Sequence, residues 1–184
     1  MPRIKPYEQN ALDSCLTCCL LLISRHYKKR ARVTKKTELR VLNAGLKFDS
    51  KNYDIGQLHE TARRYNIDFD YFVENLETFH YTRKLPFSKR IVIHNKKIDM
   101  EFIREKLGSG PVIIPLDPYG LFDEGHYAHY VLLAGKKGKF FAVVDPWTGE
   151  EKQVEQKAVF RAIRAMKKLK FAPVLIAKRS RNLK

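Results

Sequence analysis

The cysteines of this 184-residue chain are Cys15, Cys18 and Cys19, all inside the stretch QNALDSCLTCC that begins at Gln9. Three thiols so close together admit four readings: a metal site, a redox pair, a buried helix face, or one nucleophile with two bystanders. A structural zinc takes four ligands, commonly from two pairs on separate turns. This chain has no second cysteine pair, and a straight helix cannot bring His26 back around the same ion. No metal or other cofactor is therefore expected. The CLTC spacing matches that of a thioredoxin-like redox pair, but such pairs follow a strand, and no strand pattern precedes Cys15. Cys18 and Cys19 read as core, because cysteine is among the residues most often buried.

Cys15 differs by its address. It stands at the start of a helical pattern, just after Asp13 and Ser14, where backbone N–H groups and the helix dipole favour a thiolate. A thiolate is a competent nucleophile. Gln9 lies six residues upstream, and its side-chain amide can join the Cys15 backbone N–H in holding an oxyanion. A nucleophile also needs a base and a group to orient that base. His129 opens the apolar run HYVLLAG and Asp145 closes the run KFFAVVD, and the turn KKGK joins the two. In a hairpin, the start of one strand lies against the end of the other, so His129 and Asp145 are expected to face each other. A carboxylate there would fix the imidazole tautomer and stabilise its charged form.

Two rivals stand nearby. His126 is three residues from His129, and on an extended segment the two point to opposite sides. His126 therefore reads as a residue of the substrate entrance on the YGLFDEGHYA loop. Asp117, which ends the PVIIPLD run, is a second carboxylate. Trp147, the sole tryptophan, follows Asp145 in a DPWTGE turn and is a candidate wall of the substrate cleft.

The elements that must position these groups follow from periodicity. Leu16, Cys19, Leu20, Ile23 and Tyr27 recur at three and four, which predicts a helix over Leu12–Tyr27 with Asp13 or Ser14 as its cap. Two more helices are predicted over Thr34–Leu46 and Asp54–Tyr65, the latter capped by Asp54. The second half reads as strands at Asp68–Val73, Arg90–His94, Pro111–Asp117, His129–Gly135, Lys139–Asp145 and Ala172–Lys178. Helices over Asp99–Leu107 and Val154–Leu169 interrupt them. Helices first and antiparallel strands later is an α+β order.

The residues Gln9 and Cys15, the HYVLLAG…FFAVVDPWTG hairpin and the EKLGSGPVIIPLD helix-to-strand step together resemble the papain-like cysteine peptidases. They are most similar to the bacteriocin-leader-processing branch and its stand-alone relatives. The resemblance spans most of the chain. It implies N-terminal helices packed on a C-terminal antiparallel sheet. It also implies Cys15 as nucleophile, His129 as general base and acid, Asp145 as the orienting residue and Gln9 as the oxyanion side chain. The implied activity is cleavage of a peptide or related acyl bond through an acyl-enzyme, and acyl transfer to an amine would use the same intermediate. The chain departs from that branch at Leu16-Thr17, where Gly-Pro is usual, at Ser14, where an acid precedes the cysteine, and at Ala128, where a glycine precedes the histidine.

Composition sets the outer limits. The length suits one domain, 1–184, with a basic tail over about 178–184. No apolar run approaches the ~18 residues of a membrane span, and MPRIKPYEQN has no apolar core for a secretion signal. Closely spaced thiols without such a signal point to a cytoplasmic setting. The net charge of +16 is concentrated. Eight Lys/Arg and one acid lie between Arg25 and Arg40, and eleven and one between Lys152 and Lys184. Such stripes suit nucleic acid or another polyanion. A non-catalytic papain-like module that holds a polyanion is thus the alternative to the enzyme.

Overall fold

The computed structural model describes residues 4–48, 53–86, 88–122 and 125–179. The basic tail from 180 onward lies outside the described residues. Three helices come first: α1 (Cys15–Tyr27), α2 (Lys35–Phe48) and α3 (Tyr53–Tyr65). Then follow β1 (Phe69–Val73), α4 (Leu76–Arg83), β2 (Ile91–Asn95), α5 (Met100–Ser109) and β3 (Val112–Leu116). The chain continues through β4 (His129–Lys137), β5 (Phe140–Asp145), β6 (Glu150–Glu155), α6 (Gln156–Ala165) and β7 (Val174–Lys178). The class is α+β, as the element order predicts.

The strands form one seven-stranded sheet in the order β2-β1-β7-β3-β4-β5-β6. Every pairing is antiparallel except β1 with β2. Both faces are covered. Leu16, Leu20 and Ile23 of α1 and Leu58 and Ala62 of α3 pack with Ile113, Leu132 and Val144 on one face. Ile103 and Leu107 of α5 and Val159 and Ile163 of α6 pack with Val131, Leu133 and Val143 on the other. Neighbouring residues such as Val131 and Leu132 thus serve opposite cores, which is why the central strands read as unbroken apolar runs. Each fully buried aliphatic side chain contributes roughly 1.5–3 kcal/mol.

Two close contacts position the site. A Cβ on Gly56 of α3 would lie 2.8 Å from the Cα of Gly45 in α2, so the two helices cross backbone to backbone. That crossing holds the first turn of α3. The second contact is a β-bulge. The β4–β5 register pairs Gly135 with Ala142 but Leu133 with Val143 and Leu132 with Val144. The one-residue slip reverses which side chains share a face beyond it.

Two elements are absent from the sequence reading. The polar edge strand β6 occupies the residues after the DPWTG turn, so α6 begins at Gln156 rather than Val154. The short helix α4 follows β1, with the Asn75 side chain accepting from the Thr78 N–H as its cap.

Candidate active site

Cys15 is the first residue of α1 and is partly exposed, whereas Cys18 and Cys19 are fully buried. The Cys19 thiol lies 3.6 Å from the Tyr130 carbonyl. Burial pushes both inner thiols well above the usual range, and the charge on Glu38 acts in the same direction on Cys18. They are core residues. Ser14 occupies the N-cap position, but its hydroxyl caps nothing. It donates to the Ala11 carbonyl at 2.7 Å and to Glu38 Oε1 at 2.5 Å. The N–H groups of the first turn therefore lack a side-chain cap and remain available to a ligand.

Glu38 is the anchor of this corner. It sits on α2, fully buried. Its carboxylate accepts from the Tyr7 hydroxyl (2.9 Å), Asn10 N–H (2.6 Å), Asn10 Nδ2 (2.9 Å), Ala11 N–H (3.1 Å) and the Ser14 hydroxyl. One buried charge thus gathers the whole segment that leads from Tyr7 into α1. Sequence reasoning missed it, because a lone glutamate among lysines reads as a solvated charge.

The base and its orienting group come from β4 and β5. His129 Nε2 lies 2.8 Å from Asp145 Oδ1, with both side chains buried. Continuing the register past the bulge would set Asp145 across from Val131, on the parity of His129. Without the slip Asp145 would fall against Leu132, on the wrong parity. The hairpin expectation therefore holds, through a diagonal contact that the bulge makes possible. Asp145 also accepts from the Trp147 N–H at 2.9 Å and the Thr148 hydroxyl at 3.3 Å. Burial alone would raise its pKa, but the hydrogen bond and charge of His129 bring it below the usual carboxylate range. Burial would lower the pKa of His129. Hydrogen bonds with Asp145 and Cys15, and the charges of both, outweigh it and push His129 up to about 9. The structure thus brings together Cys15, His129 and Asp145.

Gln9 lies beside them, its N–H donating to the Pro146 carbonyl at 2.7 Å. Its side-chain amide donates to the Ala11 and Leu12 carbonyls, both at 2.9 Å, while its Oε1 is buried without a partner among the described residues. Both amide hydrogens are in use within the loop, so Gln9 must turn outward to meet an oxyanion.

A cavity of about 740 Å³ opens on Cys15 and His129. Trp147 forms part of its wall, together with Tyr53, Tyr71, Tyr127 and Phe171. His126 does not line it. Its Nδ1 lies 2.8 Å from Asp117 Oδ2, and its ring stacks on Tyr119 with centroids 3.9 Å apart. The two rivals of the sequence reading are therefore partners of each other, and neither lines the cavity. Asp54, expected as a helix cap, instead lies inside α3 and lines the cavity, and the Tyr130 hydroxyl donates to its Oδ2 at 3.0 Å. Among the described residues no three His, Cys, Asp or Glu side chains converge as a metal would require, and no helix is long and apolar enough to cross a membrane.

No family model and no curated protein sequence matches this chain. Solved structures do match its fold. The peptidase domain of Streptococcus ComA, a bifunctional ABC transporter of a quorum-sensing pathway, superposes with a TM-score of 0.53 at 11% identity, over 96% of this chain and 100% of that one. A double-glycine-motif protease from an AMS/PCAT transporter, solved with its leader peptide, gives 0.56 at 16% identity, over 97% and 94%. A C39-like peptidase from Bacillus anthracis gives 0.55 at 15% identity, over 96% of each chain. The chain therefore has the papain-like fold of C39 peptidase domains.

Proposed function

We propose that this chain is a cysteine peptidase that cleaves a peptide bond through an acyl-enzyme on Cys15. One observation carries the reading: a partly exposed thiol at a helix start opens on the same cavity as an imidazole that a buried carboxylate holds at 2.8 Å. In this reading, the Cys15 sulfur attacks the carbonyl carbon and forms a C–S bond. The carbonyl oxygen takes the negative charge, held by the uncapped N–H groups at the head of α1 and by Gln9 once it leaves its loop carbonyls. The His129 imidazolium gives its proton to the leaving amine as the C–N bond breaks. Water then attacks the acyl-enzyme carbonyl, giving a proton to His129; the C–S bond breaks, the carboxylic acid product leaves, and the Cys15 thiolate and His129 imidazolium are restored. Asp145 keeps the imidazole oriented throughout and stabilises its charged form before and after the acyl-enzyme. The common fold of the peptidases above, one of them solved with its leader peptide, supports a peptide substrate. The test is a thiol-directed electrophile followed by peptide mass mapping. Cys15 is expected to be labelled and Cys15→Ala to abolish turnover, and labelling of Cys18 or Cys19 in its place would end the reading.

A second reading, compatible with the first, is polyanion binding at the corner between α1 and α2. Lys28, Lys29, Arg30, Arg32, Lys35, Lys36 and Arg40 are all exposed, while Glu38, the one acid among them, is buried.

A further inference from the structure

The cavity beside Cys15 carries its own charge pattern. Asp54 and Asp13 both line it, close to the nucleophile. Among the described residues, the Tyr130 hydroxyl is the one side-chain partner that donates to Asp54. Burial and then the charge of Asp13 push it up to about 6, against the opposing Tyr130 hydrogen bond, and no cation contributes. Lys170 also lines the cavity, yet it forms no ion pair with either carboxylate. His129 lines the cavity too but is paired with Asp145 at 2.8 Å, Thr78 and Thr82 add hydroxyls, and most of the remaining wall is apolar or aromatic, with Tyr53, Ile55, Tyr71, Tyr81 and Val174 among its residues. An under-compensated carboxylate inside an aromatic-walled cavity is costly without a partner. A lysine or arginine side chain supplies what is missing, because its stem buries along apolar surface while its head pairs with the carboxylate. Tyrosine rings add attraction for the same cation.

Resting on the peptidase reading above, we infer that this cavity is a subsite for a lysine or arginine side chain of the substrate, with Asp54 as the principal counter-charge and Asp13 as a weaker one. The +16 charge of the chain opposes such a substrate at a distance. That opposition is screened within about 8 Å at physiological salt, whereas a pair inside the cavity is screened far less. The local carboxylates therefore decide.

The test uses two peptide series that differ only in carrying lysine or uncharged norleucine at each position around the bond that is cut. Wild type is expected to favour lysine by about tenfold in kcat/KM at one position. Asp54→Asn is expected to bring the lysine-to-norleucine ratio near one. Asparagine keeps an acceptor for Tyr130, and a melting curve checks the fold. Should that variant melt early, Asp13→Asn, on an exposed side chain, carries the test with an expected loss of about two- to threefold in the ratio. In parallel, binding of the lysine and norleucine peptides to Cys15→Ala is followed by fluorescence anisotropy. Cleavage with equal use of lysine and norleucine overturns the subsite and leaves the peptidase standing. So does a preference for lysine that survives both asparagine variants. Lysine-selective binding to Cys15→Ala that needs Asp54, with no cleavage by wild type, supports the subsite and overturns the peptidase. Neither cleavage nor binding of any peptide overturns both.

Discussion

At the scale of the residue, His129 carries the sharpest prediction. Its pKa rises from the ordinary value of 6.5 to about 9, so it stays charged through neutrality. The stabilisation it gives the fold is complete below pH 6.5 and is lost as pH climbs through about 9. Activity that needs the imidazolium as a proton donor should fall over the same upper limb. In Asp145→Asn the raising charge and its hydrogen bond to the charged ring weaken, so the alkaline limb of the kcat/KM profile should move to lower pH. An unmoved limb would assign it to another group, since interacting pairs titrate jointly. Gln9 makes a second prediction. If it turns to the oxyanion, Gln9→Ala should lower kcat about a hundredfold or more, measured by steady-state turnover with KM little changed. Cys15, His129 and Asp145 were legible because they sit at the ends of predictable elements. Glu38 and Asp54 were not. Glu38 looks like an ordinary charge on a helix and Asp54 like a helix cap, and only the tertiary placement of α2 and α3 buries the first and turns the second to the cavity.

At the scale of the element, the turn after β5 and the carboxylate on α2 fix the segment that leads into α1. Gly149 has φ +66, and a Cβ there would lie 2.9 Å from the backbone N of Glu8. Next along, the Gln9 N–H is tied to Pro146. Gly149→Ala would meet both the left-handed strain and this contact. It should displace the Gln9 segment and lower kcat more than KM, as read by steady-state kinetics. Glu38→Gln tests the other clamp. A glutamine presents one oxygen and an amide donor to groups that are themselves donors. It should destabilise the fold by about 2–3 kcal/mol, given roughly 1–3 kcal/mol for each buried polar group left unsatisfied. Urea unfolding of the two proteins measures this. The sequence predicted α1, α2, α3 and the central strands nearly end to end because each has an apolar face of clear period. It missed β6 because EEKQVE is a charged edge strand, largely exposed, with no apolar face to mark it. The bulge between Leu133 and Gly135 was equally silent, since a one-residue slip leaves no mark in an unbroken apolar run, yet it sets the parity that joins His129 to Asp145.

At the scale of the whole molecule, the charge is what the fold leaves over. The sheet and its two cores consume the apolar residues, and several of the acids are drawn inward or paired. Glu38 is buried under the active-site loop, and Glu74 takes Arg164 at 2.8 Å and Lys167 at 3.3 Å. Asp70 takes both His94 and Arg179. The cations of the α1–α2 corner are left without such partners among the described residues, so their fields add. A polyanion laid along that corner would release counterions, and its affinity should fall steeply with salt. Retention on immobilised heparin should therefore survive Cys15→Ala and weaken sharply in a Lys28→Glu, Lys29→Glu, Arg30→Glu triple variant. If those three residues each contact a phosphate, the slope of log affinity for duplex DNA against log salt should fall by about 2.7, from ~0.9 per contact. A triple variant that elutes with wild type at every salt concentration would assign the corner to solvation alone. The same comparison separates this surface from the cavity. The corner is built from residues 28–40 and the subsite from Asp13 and Asp54, so the triple variant should keep the wild-type ratio of lysine to norleucine peptides. A ratio that moved with the triple variant would mean that the field of the basic corner reaches the substrate.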